Sequence, residues 1–318
     1  MTPHRSNPMP TYTFMDSTIR NVLFLIWALL HAHMTQAQLP QVSSGRIERF
    51  TEFPSQFVIP RTIDVWLPDE YSADKKYAVL YLHDGQMLFD ATQTWNNQEW
   101  QVDEIMGALI RDQKIRDCIV VGIWNAPERR RREYFPAKAV PYIESPIIDS
   151  LSRLEWQGQS GLADAYLSFI VRELKPFIDR TYSTHTDRAN TCIGGSSFGG
   201  LISLYAMCEY PATFGGAMCL STHWPGSLQV KDPSIPKGFL EYFKKHMPSA
   251  QYHKIYFDRG TETLDAQYAP TQERMDMIMR KKGYRPENFQ SLVFEGDDHS
   301  EKAWAKRLNI PLTFLLSE

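Results

Sequence analysis

Asn190-Thr191-Cys192-Ile193-Gly194-Gly195-Ser196-Ser197-Phe198-Gly199-Gly200-Leu201 runs from a short apolar strand into a Gly/Ser turn, and Ile202 to Glu209 continues with helical periodicity. Within it, Gly195-Ser196-Ser197-Phe198-Gly199 fits G-x-S-x-G, the pattern that seats a serine on a sharp strand-to-helix turn. The backbone at such a serine is strained, and the positions two residues to either side must be bare. That requirement picks the serine. Centring on Ser197 puts Gly195 and Gly199 at the flanks, whereas centring on Ser196 would need glycine where Phe198 stands. Ser197 is therefore the candidate nucleophile. The helix after it aims its N–H groups and positive dipole end at the place where an oxyanion would form. The plain alternative is an ordinary glycine-rich turn, and the order of the surrounding elements separates the two.

Upstream, Arg46 to Ser55 and Arg61 to Leu67 read as strands either side of a turn at Pro60, the second alternating polar and apolar as a half-exposed strand does. Tyr77 to Leu82 is a continuous apolar run, the mark of a strand buried on both faces, and Cys118 to Ile123 is another. Trp100 to Ile115 has helical spacing between them. Trp124 to Ser160 is polar and carries prolines, so it reads as a long loop covering a substrate. Leu162 to Ile178 is helical and leads to the elbow. Beyond it, strands at Phe214 to Ser221, His253 to Asp258 and Phe289 to Phe294 alternate with helices at Pro236 to His246, Asp265 to Lys282 and Glu301 to Leu316. Alternating strand and helix with apolar strands predicts an α/β fold, a mostly parallel sheet with helices on both faces. Residues 38–318 suit a single domain of this kind.

In hydrolases built on an elbow serine, the acid follows the nucleophile and the histidine comes last. His83 and His185 precede Ser197, and His223, His246 and His253 lie before the loop where the acid belongs. His299, in Glu295-Gly296-Asp297-Asp298-His299-Ser300 after the last strand, is the one in the permitted position. The acid should follow Lys254-Ile255-Tyr256-Phe257-Asp258. Asp265 and Glu262 are both candidates, with Asp265 also readable as a helix N-cap and Asp258 as structural. The oxyanion donors would be the N–H of Phe198 and that of Gln86, in His83-Asp84-Gly85-Gln86-Met87. His83 and Asp84, at a strand end before glycine, read as loop-shaping residues rather than a catalytic pair. Trp95, Trp100, Trp124 and Trp224 fall near strand ends. Trp100, Trp124, Trp224 and His223 could line a substrate pocket, or simply pack.

The combination of Tyr81-Leu82-His83-Asp84-Gly85-Gln86, Gly194 to Gly200, Phe257-Asp258-Arg259-Gly260-Thr261 and Gly296-x-x-His299 resembles the putative esterase family. That family takes in enterochelin-esterase-like proteins, the feruloyl and acetyl-xylan esterases of carbohydrate-esterase family 1, and the mycolyltransferases. The resemblance runs from about Arg46 to the end of the chain. It implies an α/β-hydrolase fold, a serine nucleophile at Ser197, a histidine at His299 and hydrolysis of carboxylic esters, with no cofactor. The acid loop departs from the pattern. Related feruloyl esterases carry an Asp a few residues after Gly-Thr, where this chain reads Glu262-Thr263-Leu264-Asp265; Asp265 is taken as the acid, with Glu262 as the alternative.

The chain of 318 residues is 43% hydrophobic and 22% charged with net charge −3, an ordinary globular balance that gives nucleic acid no basic surface. Arg129 to Arg132 sits between Glu128 and Glu133 and reads as a solvated loop. Val22 to Leu30 is a nine-residue apolar run after Arg20 and before Thr35-Gln36-Ala37, which reads as a signal peptide over residues 1–37 cleaved after Ala37, with translation starting at Met1 or Met15. The run is too short to span a bilayer, and the expected location is secreted or periplasmic. Cys118, Cys192, Cys208 and Cys219 read as small buried hydrophobes rather than a disulfide framework, and with no C-x-x-C no metal is expected. The partner expected is a small-molecule or carbohydrate-linked ester. Two other readings share these features: an acyltransferase on the same residues, and a non-catalytic binding protein on a hydrolase scaffold.

Overall fold

The apolar runs at residues 77–82, 118–123 and 190–196 become three adjacent strands at the centre of one sheet. The structure, a computed structural model, describes residues 38–317, and residues from Pro40 onward form one compact unit. The expected leader, residues 1–37, lies outside the described residues. The strands are β1 (Arg46–Phe53), β2 (Arg61–Leu67), β3 (Ala78–His83), β4 (Cys118–Ile123), β5 (Thr191–Ser196), β6 (Gly216–Leu220), β7 (Lys254–Arg259) and β8 (Phe289–Val293). They form a sheet in the order β1-β2-β4-β3-β5-β6-β7-β8. β1, β2 and β4 pair antiparallel, and β4 through β8 pair parallel.

Successive side chains on a strand point to opposite faces, so the fully apolar β3 feeds two cores. Val79 and Tyr81 join one, and Leu80 and Leu82 the other. The second core is closed by α1 (Val102–Arg111), α9 (Glu301–Arg307) and α10 (Asn309–Leu316), through Val102, Met106, Trp304, Leu308 and Leu312. The remaining helices cover the other face. They are α2 (Arg130–Tyr134), α3 (Ser145–Glu155), α4 (Ala163–Phe169), α5 (Lys175–Thr181), α6 (Phe198–Glu209), α7 (Ser234–His246) and α8 (Ala269–Lys281), with a π turn (Ile170–Leu174) joining α4 to α5. Among the described residues no helix is long and apolar enough to cross a membrane. All four cysteines are free, three of them buried.

Two sequence expectations need correction. Residues 124–160 are not a loop over the sheet. They hold α2, a 3₁₀ turn (Ala137–Tyr142) and α3, and Tyr134, Phe135, Leu151 and Trp156 are buried in the core. Ile147, Ile148 and Leu151 sit at helical spacing, and Pro146 falls in the first turn, where a missing N–H costs nothing. The arginine cluster is likewise not a solvated loop. Glu133 is buried and takes both terminal nitrogens of Arg61 at 2.8 and 3.0 Å, and Arg130 turns inward to Asp84.

Candidate functional site

Parallel strands deliver their following loops to one carboxyl edge, the place where α/β proteins bind ligands. β3, β5, β7 and β8 bring the segments around Gln86, Ser197, Asp265 and His299 to that edge.

Ser197 has φ 58° and ψ −123°, a conformation rare for any residue with a side chain. Its N–H donates to the Leu220 carbonyl at 2.9 Å, and its carbonyl accepts from the His223 N–H at 3.1 Å. Of the two flanking glycines, Gly195 is sterically required: a Cβ there would stand 2.9–3.1 Å from the Gly199 backbone, whereas one on Gly199 would meet Asp84 Oδ2 at 3.4 Å and His83 Cβ at 3.5 Å, ordinary van der Waals contact. α6 begins at the next residue, so the Phe198 N–H is among the four amides that a helix start leaves without an intrahelical acceptor. Gln86 lies in a 3₁₀ turn (Gly85–Met87) straight after β3, opened by Asp84 at φ 59°.

Asp265 is fully buried, and His299 keeps 10% of its side chain exposed. A carboxylate can only accept, so His299 Nδ1–H donates to Asp265 Oδ1, at 2.5 Å. In the tautomer that carries its proton on Nδ1, Nε2 is the accepting nitrogen. The ring is held edge-on by Trp304 at 5.0 Å and Tyr268 at 5.8 Å between centroids, and the His299 N–H donates to Thr263 Oγ1 at 2.9 Å. Asp265 is not a helix cap: it lies in a 3₁₀ turn (Thr263–Gln267), and α8 starts after Tyr268. Glu262 is exposed. Of the preferred acid Asp265 and its alternative Glu262, the structure brings Asp265 to His299.

Behind Asp265 lies a buried polar chain that local sequence does not reveal. Asp265 Oδ2 accepts from Ser221 Oγ and from the Gly260 N–H, both at 2.6 Å. Ser221 Oγ in turn accepts from Trp304 Nε1 at 2.9 Å and from an Arg307 terminal nitrogen at 3.0 Å. Arg307 also pairs with Asp258 and Asp297 at 3.1 Å, so Asp258 is structural, as its strand position suggested. These partners are up to 86 residues apart. The one local sign is the positive φ of Ser221, 42°, which a sequence does not display.

Under the start of α6, Asp84 takes two nitrogens of Arg130 at 2.7 and 2.8 Å and the Asn125 amide at 2.6 Å. Burial alone would raise the Asp84 carboxyl, but Arg130 outweighs it and holds the group below its ordinary value. The Arg130 guanidinium thus balances the Asp84 charge beside the helix start. His83 is buried beside Tyr166, at 2.8 Å, and burial lowers it to about 3, so it is neutral at pH 7.

His223 is 2% exposed, bonded through Nδ1 to Tyr268 Oη at 2.7 Å and packed on the Phe198 ring at 4.5 Å. Burial lowers it to about 4. It links Phe198 to Tyr268, and through Tyr268 to His299, as a wall. Trp100 and Trp224 are each 1% exposed, so neither offers a ring face to a ligand; a pocket role for them is corrected to core packing. Trp124 donates to Asp64 at 2.8 Å under the Arg49 guanidinium. Trp95, by contrast, is 82% exposed.

The family model described as Putative esterase matches residues 57–315. The Uncharacterized protein YbbA of Bacillus subtilis (strain 168) is 29% identical over 261 residues, which cover 80% of this chain and 92% of that protein. A solved ferulic acid esterase is 19% identical with a TM-score of 0.60, over 85% of this chain and 98% of that one. The enterobactin esterase FES from Shigella flexneri, solved in the presence of enterobactin, is 17% identical with a TM-score of 0.62, over 89% and 61%. At such identities the solved structures speak for the fold, and the fold is theirs. Together with the match along most of its length, this makes the chain a member of the putative esterase family.

Proposed function

We propose that the protein is a secreted serine esterase that cleaves a carboxylic ester through an acyl-enzyme on Ser197. The observation that carries this reading is the 2.5 Å bond from His299 Nδ1–H to buried Asp265, at the same sheet edge as the strained Ser197. In this reading Ser197 Oγ attacks the acyl carbon while His299 Nε2 takes its proton. Asp265 holds the tautomer and stabilises the imidazolium without taking a proton. The N–H groups of Phe198 and Gln86 receive the oxyanion. Collapse expels the alcohol, which leaves with the proton from His299. Water then repeats the two steps on the acyl-enzyme and releases the acid. The substrate class we propose, small-molecule or carbohydrate-linked esters, is the one the sequence led us to expect; the similar solved proteins are named as a ferulic acid esterase and an enterobactin esterase, and a matching relative from Xylanibacter ruminicola as an endo-1,4-beta-xylanase/feruloyl esterase. Export rests on the apolar run and Ala37 site of residues 1–37.

The test is hydrolysis of p-nitrophenyl acetate, methyl ferulate, acetylated xylan and a catecholate siderophore by the wild type and by Ser197→Ala. The wild type should cleave at least one, and the variant should lose more than about a hundredfold of that rate with its thermal midpoint kept. A folded variant that keeps the activity would place the nucleophile elsewhere.

A further inference from the structure

At the start of α1 three carboxylates converge. One oxygen from each of Glu99, Asp103 and Glu104 lies within 4.8 Å of the other two. Asp103 is fully buried, and its carboxyl lies within hydrogen-bond reach of that of Glu104. Oδ2 accepts from the Ser43 N–H at 2.7 Å, the Ser43 hydroxyl at 3.2 Å and the Ser44 N–H at 3.4 Å. Asp103 Oδ1, Glu99 Oε2 and Glu104 Oε2 are shut off from solvent and receive no donor. Among the described residues none of the three carboxylates has an ion pair. Buried carboxylates are ordinarily paired, protonated or bound to metal, because an unpaired buried charge is expensive.

We propose that Glu99, Asp103 and Glu104 bind a calcium ion. Carboxylate oxygens suit a hard cation, and calcium accepts six to eight of them at about 2.3–2.6 Å. Two ligands on opposite sides of such an ion stand roughly 4.8 Å apart, so oxygens within that span can share one. The ion would be structural, for no reacting group touches this cluster. It would fasten residues 96–104 at a point that supports the histidine segment. There Trp100 packs on Trp304 at 5.7 Å, Asn96 Nδ2 donates to Glu301 at 2.7 Å, and the Lys302 N–H donates to Gln98 at 3.2 Å. This departs from the sequence expectation of no metal, which looked for cysteine and histidine ligands. It stands whether or not the chain is an esterase.

Terbium is the direct probe, because Trp100 adjoins Glu99 and can sensitise its emission. Full-length protein stripped with a chelator and titrated with terbium should show tryptophan-excited luminescence that saturates at one ion per chain and is displaced by calcium. Calcium at a hundredfold excess over its dissociation constant should also raise the thermal midpoint by roughly 5 °C. Glu99→Gln should weaken terbium binding at least about tenfold and abolish the calcium shift. Asp103→Asn should do the same; because Asp103 also anchors Ser43 and Ser44, Glu99→Gln carries the test if that variant does not fold. Failure of millimolar calcium to move the wild-type midpoint, with no saturable luminescence, would overturn the proposal in favour of a proton shared among the carboxylates. Undiminished binding by Glu99→Gln would overturn it too, by placing the ion elsewhere.

Discussion

Replacing Asp265 with asparagine removes one charge, and the surrounding donors dictate how the new side chain must sit. Ser221 Oγ already accepts N–H groups from Trp304 and Arg307, so its own proton goes to Asp265 Oδ2. The Gly260 N–H points at the same oxygen. Two donors therefore face that position, and the asparagine has to place its carbonyl there. Its NH2 is then left against His299 Nδ1. An NH2 group donates, so Nδ1 must accept, and the ring proton moves to Nε2, the atom proposed to take the Ser197 proton. The base ends in the wrong tautomer and also loses the carboxylate that would stabilise the imidazolium. Inversion of this kind lowers kcat by about 10⁴, or roughly 5 kcal/mol of transition-state stabilisation. KM should hardly move, since the substrate does not touch Asp265 in this account. The fold should survive, because the asparagine oxygen keeps both donors. The assay is kcat and KM on the ester the wild type cleaves, with the thermal midpoint measured beside it. Glu262→Gln is the control: exposed Glu262 should be silent. A loss under about tenfold in folded Asp265→Asn would refute the tautomer argument, and a crippling Glu262→Gln would move the acid there.

Two further outcomes follow from the buried neighbours. Ser221→Ala deprives Asp265 of one donor and leaves Trp304 Nε1 without its acceptor; kcat should fall about ten- to hundredfold with KM held, and a loss confined to stability would show Ser221 to be packing alone. His83 titrates near 6.5 in the unfolded chain but is lowered to about 3 by burial, so between those values the unfolded state binds a proton the folded state does not. Stability should therefore fall as pH drops through that window, by about 2 kcal/mol from this group between pH 7 and 5, and His83→Asn should flatten the urea midpoint against pH. An unchanged slope in the variant would contradict the buried neutral ring.

The parts of this site that a sequence displays are those fixed by local sterics and chain order. Gly195 had to be bare because the turn brings the Gly199 backbone against it, and the pattern that marks this turn is written in five consecutive letters. His299 followed from position, since no other histidine lies after the last strand. The acid was legible only to within three residues. Glu262 and Asp265 share one loop, and it is the 3₁₀ turn there that sends one carboxylate inward and leaves the other in water. The support of that acid was not legible at all, because Ser221, Asp258, Trp304 and Arg307 come from separate elements and have no common spacing. Arg130 shows the same limit. In a run of four arginines between two glutamates it looks solvated, and only the packing of α2 against α6 brings it to Asp84. The helix at Ser145–Glu155, in contrast, had a readable apolar stripe that the nearby prolines obscured.

The central claim is that Ser197 is a nucleophile activated by its surroundings, and a fluorophosphonate probe asks this without knowledge of the substrate. The folded protein should take up one probe per chain, peptide mapping should place the phosphorus on Ser197 rather than Ser196, and His299→Ala should slow labelling by at least about a hundredfold. An unlabelled Ser197 in folded wild-type protein, or labelling that proceeds equally fast without His299, would contradict the account.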